Sequence, residues 1–482
     1  MIARGMPVAA LLALLVASAS ARNVEPPNPL PWRVGGGVGF TVDAGVFPDS
    51  TGYSAEVYLR LPPTTLEQLT QDFHGAARLR LSAELKSGYG SHRHTATQEF
   101  DIAPGDSGGG FGKVVLLRFP TRPGAQRLSV KLEDAYSRKV GLAYLGRVGH
   151  ESSKTEGEFD ASPPVAGRDL SDIEFVWTEQ KGGARSAFER SGRERIPNPE
   201  RLYGLFAEDL CASFAARSAD GTRPWHWLAK VLDAQGQVVA SRESTAAADP
   251  RLDATVTMSM AREPAGGYDL DVQVWQEGDP HPLERRARFS VAWQRESWLR
   301  NPRDTEDMVH LLTNTDEEEN FLSMHPGEQE RWLDDFWRLR DPTPGTAANE
   351  AREGFLRRVD IANERFGRNG IARGMFSDMG RVFIRYGEPS EILRQVMPAG
   401  DQTLLQVIRE ISLSEDRPIG ELRQKGPGGD MRPFEVWTYE GEIPVPPDAD
   451  PSVGRNPRHK RLLFLFVDEQ GLGDFRLRYS TE

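Results

Sequence analysis

The stretch Ser54-Ala55-Glu56-Val57-Tyr58-Leu59-Arg60-Leu61 alternates strictly, with Ala55, Val57, Leu59 and Leu61 on one face and Ser54, Glu56, Tyr58 and Arg60 on the other. Successive side chains of a strand point to opposite sides, so the pattern reads as a half-buried β-strand. The same period of two returns at Leu79, Leu81, Ala83 and Leu85, and again at Leu128, Val130 and Leu132; turn-forming clusters such as Pro104 to Gly112 lie between. Short alternating strands separated by turn signals predict an antiparallel β-sandwich over 38–149. A polar, aperiodic stretch at 150–168 reads as a linker. A second sandwich is expected over 169–295, with strands at Ile173–Trp177, Trp225–Leu232, Val256–Met260, Tyr268–Val274 and Phe289–Trp293.

After Trp293 the period lengthens. Met308, Val309, Leu311 and Leu312 suit a helix capped by Asp304 or Thr305, and Asp316 to Met324 suits a second short one. Trp332, Leu333, Phe336 and Trp337 then fall at three-to-four spacing within Glu328–Leu339, the mark of a helix packed on a core. The loop Asp341-Pro342-Thr343-Pro344-Gly345-Thr346 stops that helix, because proline lacks the donor and clashes with the preceding turn. Thr346 is the expected cap of a helix over Ala347–Phe366, whose inner stripe is Ala351, Phe355, Val359, Ala362 and Phe366. Strands are predicted at Arg381–Tyr386, Phe434–Tyr439, Leu462–Val467 and Phe475–Tyr479, with an insertion over 396–432 whose Leu404–Leu413 portion reads as helical. The fold class is therefore multi-domain and mainly β: two antiparallel β-sandwich-like domains followed by an α+β domain over 300–482.

The ends and the charge bound the function. Arg4, the apolar run from Val8 to Val16 and the small residues Ala19-Ser20-Ala21 before Arg22 read as a signal peptide over 1–21. It is too short for a span, which needs about 20 apolar residues. A Pro-rich leader over 22–37 follows, and no later stretch reads as a membrane span, so the expected location is periplasmic or extracellular. The formal charge of −12 argues against nucleic acid, which calls for Lys and Arg clustered on one face. The basic run from Arg185 to Arg201 is diluted by acids and reads as a solvated loop. Cys211 is the sole cysteine, so no intrachain disulfide forms, and its neighbours Leu210, Ala212 and Phe214 predict that the thiol is buried.

No catalytic residue, cofactor or metal stands out. Gly105-Asp106-Ser107-Gly108-Gly109 matches the serine loop of trypsin-like proteases, but the base and orienting acid such chemistry needs have no counterpart, and the string reads as a turn. His92 and His94 would share one strand face, yet Arg93 between them opposes a cation and further ligands are missing.

The sharpest signal is in the C-terminal region. Phe336-Trp337, Arg340-Asp341-Pro342-Thr343-Pro344, Asn349-Glu350, Arg358, Asn363, Phe366, Asp378, Gly380-Arg381, Tyr386-Gly387 and Pro389 resemble the GWxTD domain family of bacterial exported proteins, whose molecular activity is unassigned. The match continues at Glu435-Val436-Trp437 and through Phe464 to Gly473, covering roughly 304–482, and Ile196-Pro197-Asn198-Pro199 resembles the segment preceding this domain in many members. The signature itself appears as Gly374-Met375-Phe376-Ser377-Asp378, without its tryptophan. The resemblance singles out Arg340, Asp341, Asn349, Glu350, Arg358, Asn363, Asp378 and Arg381 as a ligand-binding or structural polar cluster. As structure, Asp341, Thr343 and Thr346 would hold the loop, while Arg358 and Arg381 would pair with Glu350 or Asp378. The expected function is a non-catalytic interaction or scaffold protein of the cell envelope or secretion apparatus, its partner another envelope or secreted protein. The alternative is a hydrolase using Asp341, Glu350 or Asp378. Carboxylates converging in an open cleft would separate the two.

Overall fold

The computed structural model describes residues 29–135, 152–299, 302–396 and 432–482, apart from 36, 50–51, 73–76, 89–91, 104–110, 162–163, 166, 182–186, 191, 347, 368–372, 444–457 and 460, together with Leu404 and Val407. The signal peptide, most of the leader, the Gly105–Gly109 string and nearly all of the 396–432 insertion lie outside these residues. Strand accounts for 51% and helix for 21% of the described structure, which makes the protein mainly β.

Two four-stranded antiparallel sheets form the first domain. One runs Trp32–Val34, Phe40–Pro48, Tyr53–Leu61, Lys113–Thr121; the other runs His92–Ile102, Ala77–Ser87, Gly124–Asp134, Ser152–Ala161. Their facing sides enclose one apolar core, with Val42, Ala44, Val57, Leu59, Leu79, Leu81, Leu128 and Val130 inside. A helix, α1 (Pro63–Asp72), closes one end through Leu66 and Leu69. The expected linker is in fact strand Ser152–Ala161, which pairs along its whole length with Gly124–Asp134. It is a sheet edge with mostly accessible side chains, so its core-facing signal is weak. The leader likewise ends in a strand, Trp32–Val34, paired with Phe40–Val42. His92 and His94 lie on the accessible edge strand, and no group of metal-ligating side chains occurs among the described residues.

The second domain stacks a six-stranded sheet on a five-stranded one over a core that includes Phe175, Tyr203, Phe214, Trp225, Val256, Leu270, Val272 and Phe289. All five expected strands are present, at Glu174–Lys181, Trp225–Leu232, Arg251–Ser259, Gly266–Gln276 and Leu283–Ala292. Asp209–Ser218, which carries the buried Cys211, and Val238–Ala246 add to them.

The C-terminal domain starts with α2 (Arg295–Leu299), α3 (Pro302–His310), α4 (Thr315–Ser323) and α5 (Pro326–Arg340), then α6 (Glu350–Phe366) and α7 (Asp378–Tyr386). Its four-stranded antiparallel sheet runs Glu391–Gln395, Phe434–Tyr439, Leu462–Asp468, Phe475–Ser480. The helices cover one face over Trp437, Phe464 and Phe466, and Leu404 and Val407 pack on the other. Three expectations need correction. The helix expected to be capped by Asp304 or Thr305 starts at Pro302, so both residues lie within its first turn. Arg381–Tyr386 is helix, not strand: Ser377 caps it, and Met379, Val382, Phe383 and Tyr386 are buried at helical spacing. The cap of α6 is Asn349 rather than Thr346, its Oδ1 accepting from Arg352 N at 2.9 Å. No helix among the described residues is long and apolar enough to cross a membrane.

The polar face of the opening stretch is not solvated. Strands Phe40–Pro48 and Tyr53–Leu61 are buried on both sides, because the face bearing Thr41, Asp43, Glu56, Tyr58 and Arg60 packs on the second domain. The Arg185–Arg201 run supplies its partners. Asp43 takes a bidentate pair of bonds from Arg201, at 2.6 and 2.8 Å; Arg60 pairs with Glu200, and Arg190 reaches Glu56 at 2.5 Å. Far from a solvated loop, the described part of the run forms an ionic seam. Its turn Asn198–Arg201 is held by Asn198 Nδ2 donating to Leu202 O at 2.9 Å, and Arg201 sits at φ 51, a conformation that non-glycine residues rarely adopt. The network continues into the third domain, where Arg288 pairs with Glu328 of α5 at 2.5 Å. At the start of α5, Gly327 lies against the second domain so closely that a Cβ would fall 2.0 Å from Val291 O.

Removing one member of a buried pair strands the other charge at a cost of roughly 3–5 kcal/mol. Arg201→Ala should therefore lower the melting temperature of the full-length protein sharply. Arg80→Ala, on the accessible outer sheet, should leave it nearly unchanged. A second expectation concerns pH. Burial, reinforced by Arg33, Arg288 and Arg201, holds His325 well below its ordinary value of 6.5. The folded chain thus binds fewer protons here than the unfolded one, so this contribution to stability is complete above about pH 6.5 and is lost as pH falls. His325→Gln should flatten that slope in melting curves recorded from pH 8 to about pH 5.

Candidate functional site

The eight polar residues singled out in the C-terminal domain do not converge. Four of them surround the proline loop. Asp341 accepts from Thr343 N at 2.9 Å, and Glu350 accepts from Thr343 Oγ1 at 2.6 Å. That hydroxyl bond, with others from the backbone and Thr346, draws the accessible Glu350 carboxyl below its usual range. Asn349 caps α6 and donates to Trp337 O at 2.7 Å, tying the loop back onto α5, while the Arg340 guanidinium stacks on Phe336, 3.5 Å from the ring centre. The other four lie elsewhere. Arg358 Nε donates to Ile384 O at 2.7 Å, and Asn363 accepts from Met375 N at 3.0 Å. Asp378 accepts from Leu477 N at 2.8 Å, joining α7 to the last strand, and Arg381 points to solvent. The expected pairing of Arg358 and Arg381 with Glu350 or Asp378 does not form. Arg358 satisfies a helix-end carbonyl instead, and its burial pulls its pKa down.

A concave surface of different residues lies nearby. The helical layer stops short of the sheet edge at Glu391–Gln395 and leaves a cleft of about 610 Å³. Its floor is aromatic: Trp437 meets Phe366 at 5.6 Å between ring centres, and Phe366 meets Phe383 at 5.8 Å. Phe376, Phe475 and the accessible Ile392 extend the apolar lining. Around it stand Arg365, Arg373, Arg394 and Arg476, each matched to a carboxylate: Glu388, Asp307, Glu435 and Asp474 respectively. The buried one is Glu435, whose side chain is 5% exposed. It accepts from Trp437 Nε1 at 2.9 Å and from the outer Arg394 at 2.6 Å. Trp437 is thus held in place beneath the cleft, 2% exposed and packed against Phe366 and Phe466. The sequence marked Phe366 as part of a buried helix stripe, Trp437 as part of a strand and both as parts of a resemblance, and the four arginines not at all, because residues from helix, loop and three strands meet here only in the fold.

The segment Gly374–Asp378 builds one wall through Phe376 and Ser377. Gly374–Phe376 is a single 3₁₀ turn, Ser377 Oγ accepts from Gly380 N at 2.9 Å to cap α7, and Met375 is buried, its sulfur 3.5 Å from Asn363 Nδ2. A Cβ on Gly374 would lie 1.9 Å from Ala362 O, so the turn rests directly on the α6 backbone. Gly374→Ala should therefore destabilise the protein by about 3 kcal/mol, in the range of strain-forcing substitutions. Gly345→Ala, where the added methyl meets open space, should be close to neutral in the same thermal unfolding assay.

No protein-family model matches this chain, and no curated protein matches it. Among solved structures, the chain is similar to a β-glucuronidase from Parabacteroides merdae at 10% identity, over 49% of this chain and 27% of that one, with a TM-score of 0.18. The chain thus spans about a quarter of that enzyme's length, and a score so low carries no argument about fold or activity.

Proposed function

We propose that the chain is a non-catalytic binding protein of the bacterial cell envelope or secretion apparatus, exported through its N-terminal signal sequence and carrying a GWxTD-like C-terminal domain. Its C-terminal cleft receives a segment of another envelope or secreted protein. The observation that carries this reading is the cleft itself: an aromatic floor with a rim of arginines, the residue types that dominate binding energy at protein interfaces. The three carboxylates do not converge as a hydrolase would need: Asp341 and Glu350 accept from Thr343 in the proline loop, and Asp378 accepts from the last strand. The two β-sandwiches, locked to each other by buried ion pairs and to the third domain by Arg288–Glu328 and by Gly327 N donating to Ser290 Oγ at 2.6 Å, act as a rigid mount.

A photo-crosslinking side chain placed at Ile392, inside the cleft, should capture one discrete partner in the native envelope. The same side chain at Val238, exposed on the second domain, should not. Arg365→Glu combined with Arg476→Glu should abolish the adduct without lowering the melting temperature, because both arginines are half exposed and their ion pairs lie at the surface. No adduct at Ile392, or an adduct indifferent to the charge reversals, would refute the reading.

A further inference from the structure

The sheet of the C-terminal domain has two edges, and they are finished differently. At Phe475–Ser480 the outward N–H of Leu477 is taken up by Asp378 at 2.8 Å, and Arg385 of α7 pairs with Glu482 just beyond at 2.6 Å, so the helical layer closes that side. The other edge is Glu391–Gln395, which pairs with Phe434–Tyr439 and has no strand beyond it among the described residues. Its side chains are exposed, Ile392 by 46% and Leu393 by 38%, and Val396 follows in the open. Native sheets usually blunt an edge with charge, proline or a bulge, because an open row of N–H and C=O groups is a template for another strand. Ile392 and Leu393 leave this one apolar at its centre.

The rows of side chains across the sheet define what fits there. On the helix-facing side Phe464, Trp437 and Ile392 stand in one row, and Phe466, Glu435 and Arg394 in the next. On the opposite side Leu465, Val436 and Leu393 form a third. All three rows end at Glu391–Gln395, and Ile392 and Arg394 border the cleft, so a strand laid beside them would line it as well. Neighbours across a strand pair are favourable when apolar meets apolar or opposite charges meet. The incoming strand is therefore apolar opposite Ile392 and Leu393 and acidic opposite Arg394, which antiparallel pairing turns into the order acid, apolar, apolar.

This chain itself supplies poorer occupants. Antiparallel pairing with a second copy sets Ile392 against Arg394 when centred on Leu393, Leu393 against Glu391 when centred on Ile392, and Arg394 against its own charge when centred there. After Val396 the next described residues, Leu404 and Val407, are buried on the sheet face with Val436 and Leu465, in a cluster that leaves Leu393 out. We infer, on the reading that the cleft is the partner protein's site, that Glu391–Gln395 takes up an extended segment of that partner as a fifth, antiparallel strand of acid–apolar–apolar order. Main-chain bonds along the edge supply the affinity, and alternate side chains entering the cleft supply the choice.

A photo-crosslinking side chain placed at Ile392 and, separately, at Leu393 of the full-length protein in its native envelope tests this. Ile392 borders the cleft and Leu393 points to the other side of the sheet, so a segment lodged only in the cleft is reached from Ile392 alone, whereas a paired strand is reached from both. Mass spectrometry should find both adducts on the same partner, at adjacent residues within an acid–apolar–apolar string. One of the two positions directs its N–H outward, where proline breaks no existing ladder bond; proline there should keep the melting temperature and cut capture from the other position by about fivefold or more. Capture from Ile392 alone, or capture indifferent to that proline, overturns the strand and leaves the cleft reading standing, while no capture from either position ends both. Adducts from Leu393 confined to residues 397–431 or to a second copy of the chain also overturn it.

Discussion

The contact on which the rest of the structure depends is the insertion of the turn Asn198–Arg201 into the polar face of the first domain's sheet. Asp43, Glu56 and Arg60 sit on strands that also line an apolar core, so they cannot turn away without dismantling that core. Their charges must be met where they stand. Arg201 and Glu200 meet two of them from adjacent positions, and the strained φ at Arg201 is the local concession that lets both side chains face the same sheet. Because Arg201 also donates to Arg288 O, and Arg288 holds Glu328 at the start of α5, the geometry of one turn is carried through to the third domain. The cleft lies in the domain whose α5 is anchored in this way.

The architecture was largely legible in the pattern of apolar residues. Periods of two and of three to four recovered both sandwiches and the helix-rich start of the last domain. What the pattern cannot report is the fate of the polar side of a strand. Glu56, Tyr58 and Arg60 read as solvated because charged residues usually are, and they are buried only because a partner of opposite charge lies more than a hundred residues away. The run from Arg185 to Arg201 was misread for the same reason. Ser152–Ala161 and α7 failed differently. The first is an edge strand whose side chains are mostly accessible; the second carries Val382, Phe383, Ile384 and Tyr386, a composition that suits a strand, yet Ser377 at its start and a fully packed inner face make it a helix.

The candidate site was less legible still. The polar residues that stand out along the sequence, such as Asp341, Asn349 and Glu350, turn out to organise a loop between two helices, a task that needs particular side chains just as a binding site does. The cleft draws on Phe366, Trp437, Arg394 and Arg476, which are spread over more than a hundred positions and share no local motif. Ordinary residue types at ordinary spacing become a site only when a helical layer ends before the sheet beneath it does.

The ionic seam has a further consequence for how the chain comes into being. A polypeptide is made from its N-terminus, and domains tend to fold as units as they emerge. The first domain must therefore exist for a time with its docking face uncovered. Had that face been apolar, it would have been an invitation to stick to other nascent chains; carrying Asp43, Glu56, Tyr58 and Arg60, it is hydrated while it waits and surrenders its water only when residues 190–201 arrive to replace it. The polar seam thus trades some strength in the finished molecule for safety in the unfinished one.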